Sequence, residues 1–258
     1  MALAGFDISS GGSGVIRAGA AFTSGALERD ISYYDDFLEG GFKVDAALLN
    51  ESDPSSKFST IANSGVWLVT FDVAPTIVIA DGEPGGVLVI TTGSNANDFV
   101  SCQMNGEAWA VTSLKDIYYE IRMKLADSND TRWIVGLCST DVAGTTIGPI
   151  LDSIDGEGSM IGFVQNTDTG EDIGCILQNG GTGTTTDSGV DVSNDTFVTL
   201  GLHVRSNVGV EYFVNGTSVA DVTANVPDAD AVTLSMEVHS PTASSTLEVD
   251  YLSCAQVR

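Results

Sequence analysis

The chain has 258 residues, of which 35 are Asp or Glu and 10 are Lys or Arg, giving a formal charge of −25 at pH 7. So few cations exclude nucleic-acid binding by phosphate neutralisation and a polybasic membrane-surface role, because each such contact consumes a positive side chain. The 43% apolar content excludes a largely disordered chain.

Gly, Val, Ser and Thr account for 106 residues, a composition suited to strands and turns. Asp outnumbers Glu by 24 to 11, which places the acids on turns rather than helices. The length fits one domain of about 200 residues with an extension. No apolar run approaches the roughly 18 residues of a membrane span, and Met1 to Ser10 lacks the basic and apolar regions of a signal peptide. The chain is therefore expected to be made and kept in a cytoplasm.

Residues 1–31, rich in Gly, Ser and Ala and without a sustained period, read as an N-terminal arm, extended or ordered by a partner, with a frayed terminus as the other reading. Leu27, Ile31, Tyr34 and Leu38 fall at helical spacing, which allows one short helix before Gly40-Gly41. From about residue 66 the pattern is strand after strand. Ile117, Tyr119, Ile121, Met123 and Leu125 share one face, with Glu120, Arg122 and Lys124 on the other, the period of an antiparallel sheet with one wet face.

The same alternation recurs through Val198, Leu200, Leu202 and Val204, and through Val232, Leu234, Met236 and Val238. Asn105-Gly106 and Asn215-Gly216 each predict a tight hairpin, because both residues accept positive φ. Trp133 to Cys138 and Met160 to Val164 are apolar on both faces, as strands covered on both sides require. The compact solution is all-β: two antiparallel sheets packed face to face. Cys102, Cys138, Cys175 and Cys254 lie far apart inside apolar runs and read as buried free thiols, with no zinc spacing.

The order of YYDDFLEG, GGVLVITTG, IYYEIRMKLADS, WIVGLCSTD, GFVQNTDTGEDIGCILQNGG, TFVTLGLHVRS, VEYFVNGTSVADVTANVPD and LEVDYLSCAQVR resembles the concanavalin A-like (LamG-like) jelly rolls of tailed-bacteriophage virion proteins. The resemblance covers residues 32–258 and implies a jelly-roll sandwich carrying the arm 1–31. It implies a capsid decoration (cement) protein on the virion surface, made in the host cytoplasm. Its partner would be the major capsid protein, and a homo-oligomer is implied, with a trimer favoured. The alternative is a carbohydrate-binding module or a tail-fibre adhesion protein.

Some proteins of this fold are glycoside hydrolases with an E-x-D-x-(x)-E strand, and Glu248-Val249-Asp250 begins that pattern. The second Glu is absent at Leu252 and Ser253, so the acid and nucleophile pair is incomplete and no enzymatic activity is expected. Alternation puts Glu248 and Asp250 on one face with Leu252 and Cys254. His203 and His239, each opposite the apolar face of its strand, read as structural or surface residues, with no G-x-S-x-G to supply a nucleophile.

No catalytic, cofactor or metal residue is assigned and no cofactor is expected. The acidic loops 127–130, 152–157 and 166–172 could offer calcium ligands, but Asp and Asn beside Gly are also ordinary turn chemistry. A sugar site requires an aromatic platform. Trp109 and Trp133 read as core, which leaves Trp67 as the candidate.

Overall fold

A computed structural model of the chain describes residues 31–35, 58–60, 67–73, 75–80, 86–104, 109–112, 115–139, 158–165, 172–206, 208–228 and 230–256, with only the backbone at 31–35, 58–60 and 68. Among the described residues there are seventeen strands and no helix. The strands are β1 (Ile31–Asp35), β2 (Phe58–Thr60), β3 (Trp67–Phe71), β4 (Thr76–Ala80), β5 (Val87–Thr91), β6 (Phe99–Met104), β7 (Trp109–Ala110), β8 (Ile117–Leu125) and β9 (Arg132–Cys138). They continue with β10 (Met160–Gln165), β11 (Gly174–Asn179), β12 (Thr182–Asp187), β13 (Val198–Arg205), β14 (Gly209–Val214), β15 (Thr217–Val222), β16 (Ala231–His239) and β17 (Thr246–Gln256).

They form two antiparallel sheets. One has eight strands in the order β15-β14-β13-β8-β17-β5-β4, with β1 also on β17; the other has nine in the order β12-β11-β10-β9-β16-β6-β3-β2, with β7 on β16.

Alternation places the core between the sheets. β8 and β13 bury every second residue from Ile117 and Val198 respectively, as expected from their sequences. Trp67, Trp109 and Trp133 are all fully buried in this core, which corrects the reading of Trp67 as an open platform. Tyr212 of one sheet donates its hydroxyl to the Ile176 carbonyl of the other at 2.6 Å and meets Phe163 edge-on, pinning the layers together.

The Asn215-Gly216 hairpin joins β14 to β15 with φ of 50° and 76° at its two residues, the left-handed pair that the turn demands. A second such turn, at Gly180 and Gly181, joins β11 to β12.

Four further expectations are corrected here. The helix through Ile31 and Tyr34 is instead strand β1, in register with β17 from Ile31↔Gln256 to Asp35↔Leu252; ladder bonds to an existing strand outweigh the weak helical spacing. The rest of the 1–31 arm lies outside the described residues.

Asn105-Gly106 also lies outside them, but its flanking strands do not pair as a hairpin. β6 and β7 both run along the nine-residue strand β16, which is long enough to take them end to end.

In β17 a bulge inserts Asp250 between Val249↔Met123 and Tyr251↔Arg122. That extra residue turns Leu252 and Cys254 back into the core beside Leu247 and Val249, so Glu248 and Asp250 do not share their face.

The fourth concerns β16, whose second face is not wet. Thr233, Ser235, Glu237 and His239 are buried there, while Ile134, Cys138, Met160, Val164 and Ile176 form a separate buried apolar cluster on the same sheet. β9 and β10 are thus covered on both sides, as their apolar runs require, and all four cysteines are buried free thiols.

Candidate functional site

Three residues singled out in the sequence, Glu248, Asp250 and His203, lie on the outward face of the eight-stranded sheet, the two acids opposite one end of β8 and His203 opposite the other. Register explains the arrangement. Lys124 stands opposite Glu248 and binds its carboxylate at 3.1 Å, while the bulge swings Asp250 onto Arg122 in a close ion pair. Arg122 also lies 4.1 Å from the centre of the Phe197 ring, with Lys124 at 5.1 Å. Tyr251 donates to Glu120 at 2.7 Å.

Tyr118 stands opposite His203, and the two rings stack 4.4 Å apart with planes 13° from parallel. The face therefore offers three half-buried rings, Tyr118, Phe197 and Tyr251, set among paired acids and bases on a rigid sheet. These rings carry the site, and sequence reasoning missed them. The signal was present for Tyr118, which shares its parity with Glu120, Arg122 and Lys124.

At one edge of the face, Asp116, His203 and Ser206 meet, the three residue types of a hydrolytic triad. Their connectivity is wrong for that chemistry. His203 Nε2 lies 2.9 Å from Asp116 Oδ2, but the Ser206 hydroxyl donates to Asp116 Oδ1 at 2.6 Å, as does the Ser206 amide at 3.1 Å. Serine and histidine converge on the carboxylate, so no imidazole is placed to take the serine proton.

Desolvation pushes the Asp116 carboxyl up, but the hydrogen bonds from Ser206 and His203 and the His203 charge more than offset it and hold it below the ordinary value. Burial, then the Asp116 charge, raises the Tyr118 phenol; burial, then Glu120, raises that of Tyr251. Both phenols stay protonated at neutral pH and can donate. Glu248 and Asp250 are each held by a cation, so neither stands as a free acid or nucleophile.

His239 lies elsewhere, on the buried face of the other sheet, 2.6 Å from Glu237 and stacked on Phe99 at a centroid distance of 5.5 Å.

Of the acidic loops, 127–130 is turn chemistry. Asp127 accepts the Asn129 amide at 3.0 Å, and Asp130 accepts the Thr242 hydroxyl. Loop 152–157 and most of 166–172 lie outside the described residues. Among the described residues no group of three or more His, Cys, Asp or Glu is placed to hold a metal ion.

Asp172 shares hydrogen bonds with Asp191 and, after the effect of desolvation, with Asp187, and these push its carboxyl up to about 6. A carboxyl raised in the fold above its ordinary 3.8 opposes folding above pH 6, and that penalty fades as the pH falls through 6 towards 4. Asp172→Asn is therefore expected to raise the melting temperature at pH 8 and to match the parent at pH 4. Melting curves at pH 8, 6 and 4 check this, and a pH-independent difference would refute it.

No family model and no curated protein sequence matches the chain. Solved structures do. A protein of unknown function from Shewanella oneidensis MR-1 is 15% identical, with 88% of this chain and 87% of that one covered and a TM-score of 0.54. The β-glucanase of Bacillus licheniformis is 11% identical over 86% and 96%, TM-score 0.53. The metal-free carbohydrate recognition domain of Emp46p is 9% identical over 83% and 95%, TM-score 0.51.

The fold is a concanavalin A-like jelly roll. At these identities the likeness establishes architecture alone, an architecture that serves sugar recognition in one neighbour and is found in an enzyme in another. None of the three is described as a virion protein, so capsid decoration and a capsid-protein partner rest on the resemblance in segment order.

Proposed function

We propose that this chain is a carbohydrate-binding jelly roll that adheres to a glycan without cleaving it, displayed on the virion of a tailed bacteriophage. The observation that carries the binding role is the outward face of the eight-stranded sheet. Tyr118, Phe197 and Tyr251 supply ring faces for sugar C–H surfaces, and the neighbouring Glu120, His203, Arg122 and Asp250 supply hydrogen-bonding groups for hydroxyls. Neighbours that share the fold include a carbohydrate recognition domain, which supports this class of ligand. Absence of cleavage is favoured by the ion pairs on Glu248 and Asp250, since glycoside hydrolysis requires one carboxyl as acid and another as base or nucleophile.

The test is a glycan array with bacterial polysaccharides and β-glucans, followed by titration of each ligand bound and an assay for reducing ends. Tyr118→Ala and Tyr251→Ala are each expected to weaken binding about 5- to 10-fold, the loss of one stacked ring. Release of reducing ends that stops in Glu248→Gln would make the protein an enzyme. Co-sedimentation with capsid shells, with no glycan bound, would return it to the decoration role.

A further inference from the structure

Each sheet path ends in two edge strands, and β1 on β17 and β7 on β16 are two more among the described residues; native edges are normally blunted against pairing with another chain. Five of the six here are. β2 and β7 are three and two residues long, β1 ends in the charged Asp35, β12 contains Gly183 and ends in the charged Asp187, and β15 carries Asp221 beside the bulge at Tyr212 and Phe213. β4 is different. Its sequence Thr76-Ile77-Val78-Ile79-Ala80 has no charge, proline or bulge, and it runs in unbroken register with β5, its only neighbour among the described strands. Val78 at its centre is 48% exposed, one of two large apolar side chains in that state among the described residues.

We infer that β4 is a contact through which two copies of this chain associate, antiparallel about a twofold axis at Val78, so that the two eight-stranded sheets become continuous. The occupant is a second copy because the strand is complementary to itself. The twofold sets Thr76 against Ala80, Ile77 against Ile79 and Val78 against Val78. Ile77 lies in the core and Ile79 packs against it, so on that side the joint continues the apolar layer.

On the outward side, register gives the row Lys124, Glu248, Val89, Val78. Doubling that row brings four valines together, closed at each end by a Lys124–Glu248 ion pair. Charge points the same way. In a chain of 35 acids, these five residues contain none, so no like charges oppose each other across this joint. A twofold contact of this kind closes at two copies, in place of the trimer that the resemblance implies. Five paired residues bury less than a standard interface of about 1,600 Å², the size class of weak, exchanging contacts.

Sedimentation equilibrium of the full chain from 1 to 300 µM should show monomer and dimer in exchange. Val78→Lys places two ammonium groups on the axis and should weaken association at least ~30-fold. Its melting temperature at 1 µM should match the parent, because the replaced side chain is exposed.

A second variant needs no loss of function. Directly opposed residues of antiparallel strands have Cα atoms about 4.5–5.5 Å apart, within disulfide range, so Val78→Cys should cross-link to dimers under mild oxidation. Val208→Cys, equally accessible at 59% exposure on the β13–β14 turn, should not cross-link, and the four native cysteines are buried. A monomer across the whole range, a trimer, or a Val78→Lys protein that dimerises like the parent overturns the inference. Glycan binding is read in a separate assay on the sheet face, so its failure would leave this result standing.

Discussion

Gly136→Ala is expected to destabilise the protein by about 3 kcal/mol or more, lowering its melting temperature by roughly 6–12 °C. Gly136 sits mid-strand in β9 with φ at +152°, a conformation that side-chain-bearing residues rarely adopt. A Cβ there would stand 2.3 Å from the Ile161 carbonyl oxygen and 2.6 Å from the Gly162 Cα. Both atoms are backbone of the neighbouring strand β10, so no rotamer relieves the contact.

Gly162 faces the same constraint in reverse, its own Cβ falling 2.3 Å from the Val135 oxygen. Two other glycines serve as controls. Gly216→Ala changes a turn residue at φ +76° with open space around it, so only the left-handed penalty of about 1 kcal/mol applies. A Cβ at Gly201 would meet its nearest neighbour at 3.6 Å, an ordinary contact, and that substitution should cost little. Urea unfolding of the three variants gives the order. A Gly136→Ala protein as stable as Gly201→Ala would mean that β9 and β10 do not approach as described.

Alternation in the sequence was sufficient to find β8 and β13, because one face of each strand meets the core and the other meets partial solvent. It failed for β16 for a physical reason. Thr233, Ser235, Glu237 and His239 have the composition of a solvated face, and period two tells which residues share a face without telling whether that face is covered.

The bulge at Asp250 was equally invisible. One inserted residue reverses the facing of everything after it, and no composition marks it. Asn215-Gly216 was legible as a hairpin because strands of matching length flank it, whereas β7 beyond Asn105-Gly106 has only two residues and joins β16 instead. Of the candidate site, the charged residues Glu248 and Asp250 and the imidazole of His203 stood out individually. Their placement on one sheet face depends on the order β13-β8-β17, which is long-range information that local pattern does not carry.

The Glu237–His239 pair leads to the second large effect. The two side chains are 0% and 3% exposed, two residues apart on β16, and 2.6 Å from each other. The row around them is hydrogen-bonded. Gln103 donates to the Ser235 hydroxyl at 3.0 Å, and that hydroxyl donates to the Thr233 carbonyl at 3.2 Å. Removing one member of a buried acid–base pair costs about 3–5 kcal/mol, because the survivor keeps its desolvation penalty and loses its partner. His239→Leu is expected to fall in that range, with Glu237→Leu similar.

Replacing both by leucine removes both penalties together, and the double variant is expected within about 1–2 kcal/mol of the parent. The cycle of four proteins, unfolded in urea, should therefore return a coupling of about 4 kcal/mol or more, the two single losses less the small loss of the double. Simple additivity of the two single losses would show that the pair is not a unit. Glycan binding supplies an independent readout. Because the pair lies on the nine-stranded sheet and the Tyr118–Tyr251 face on the other, the double variant should bind any ligand of that face as tightly as the parent does. Loss of binding in a folded double variant would move the ligand to the buried row and take the outward face out of the function.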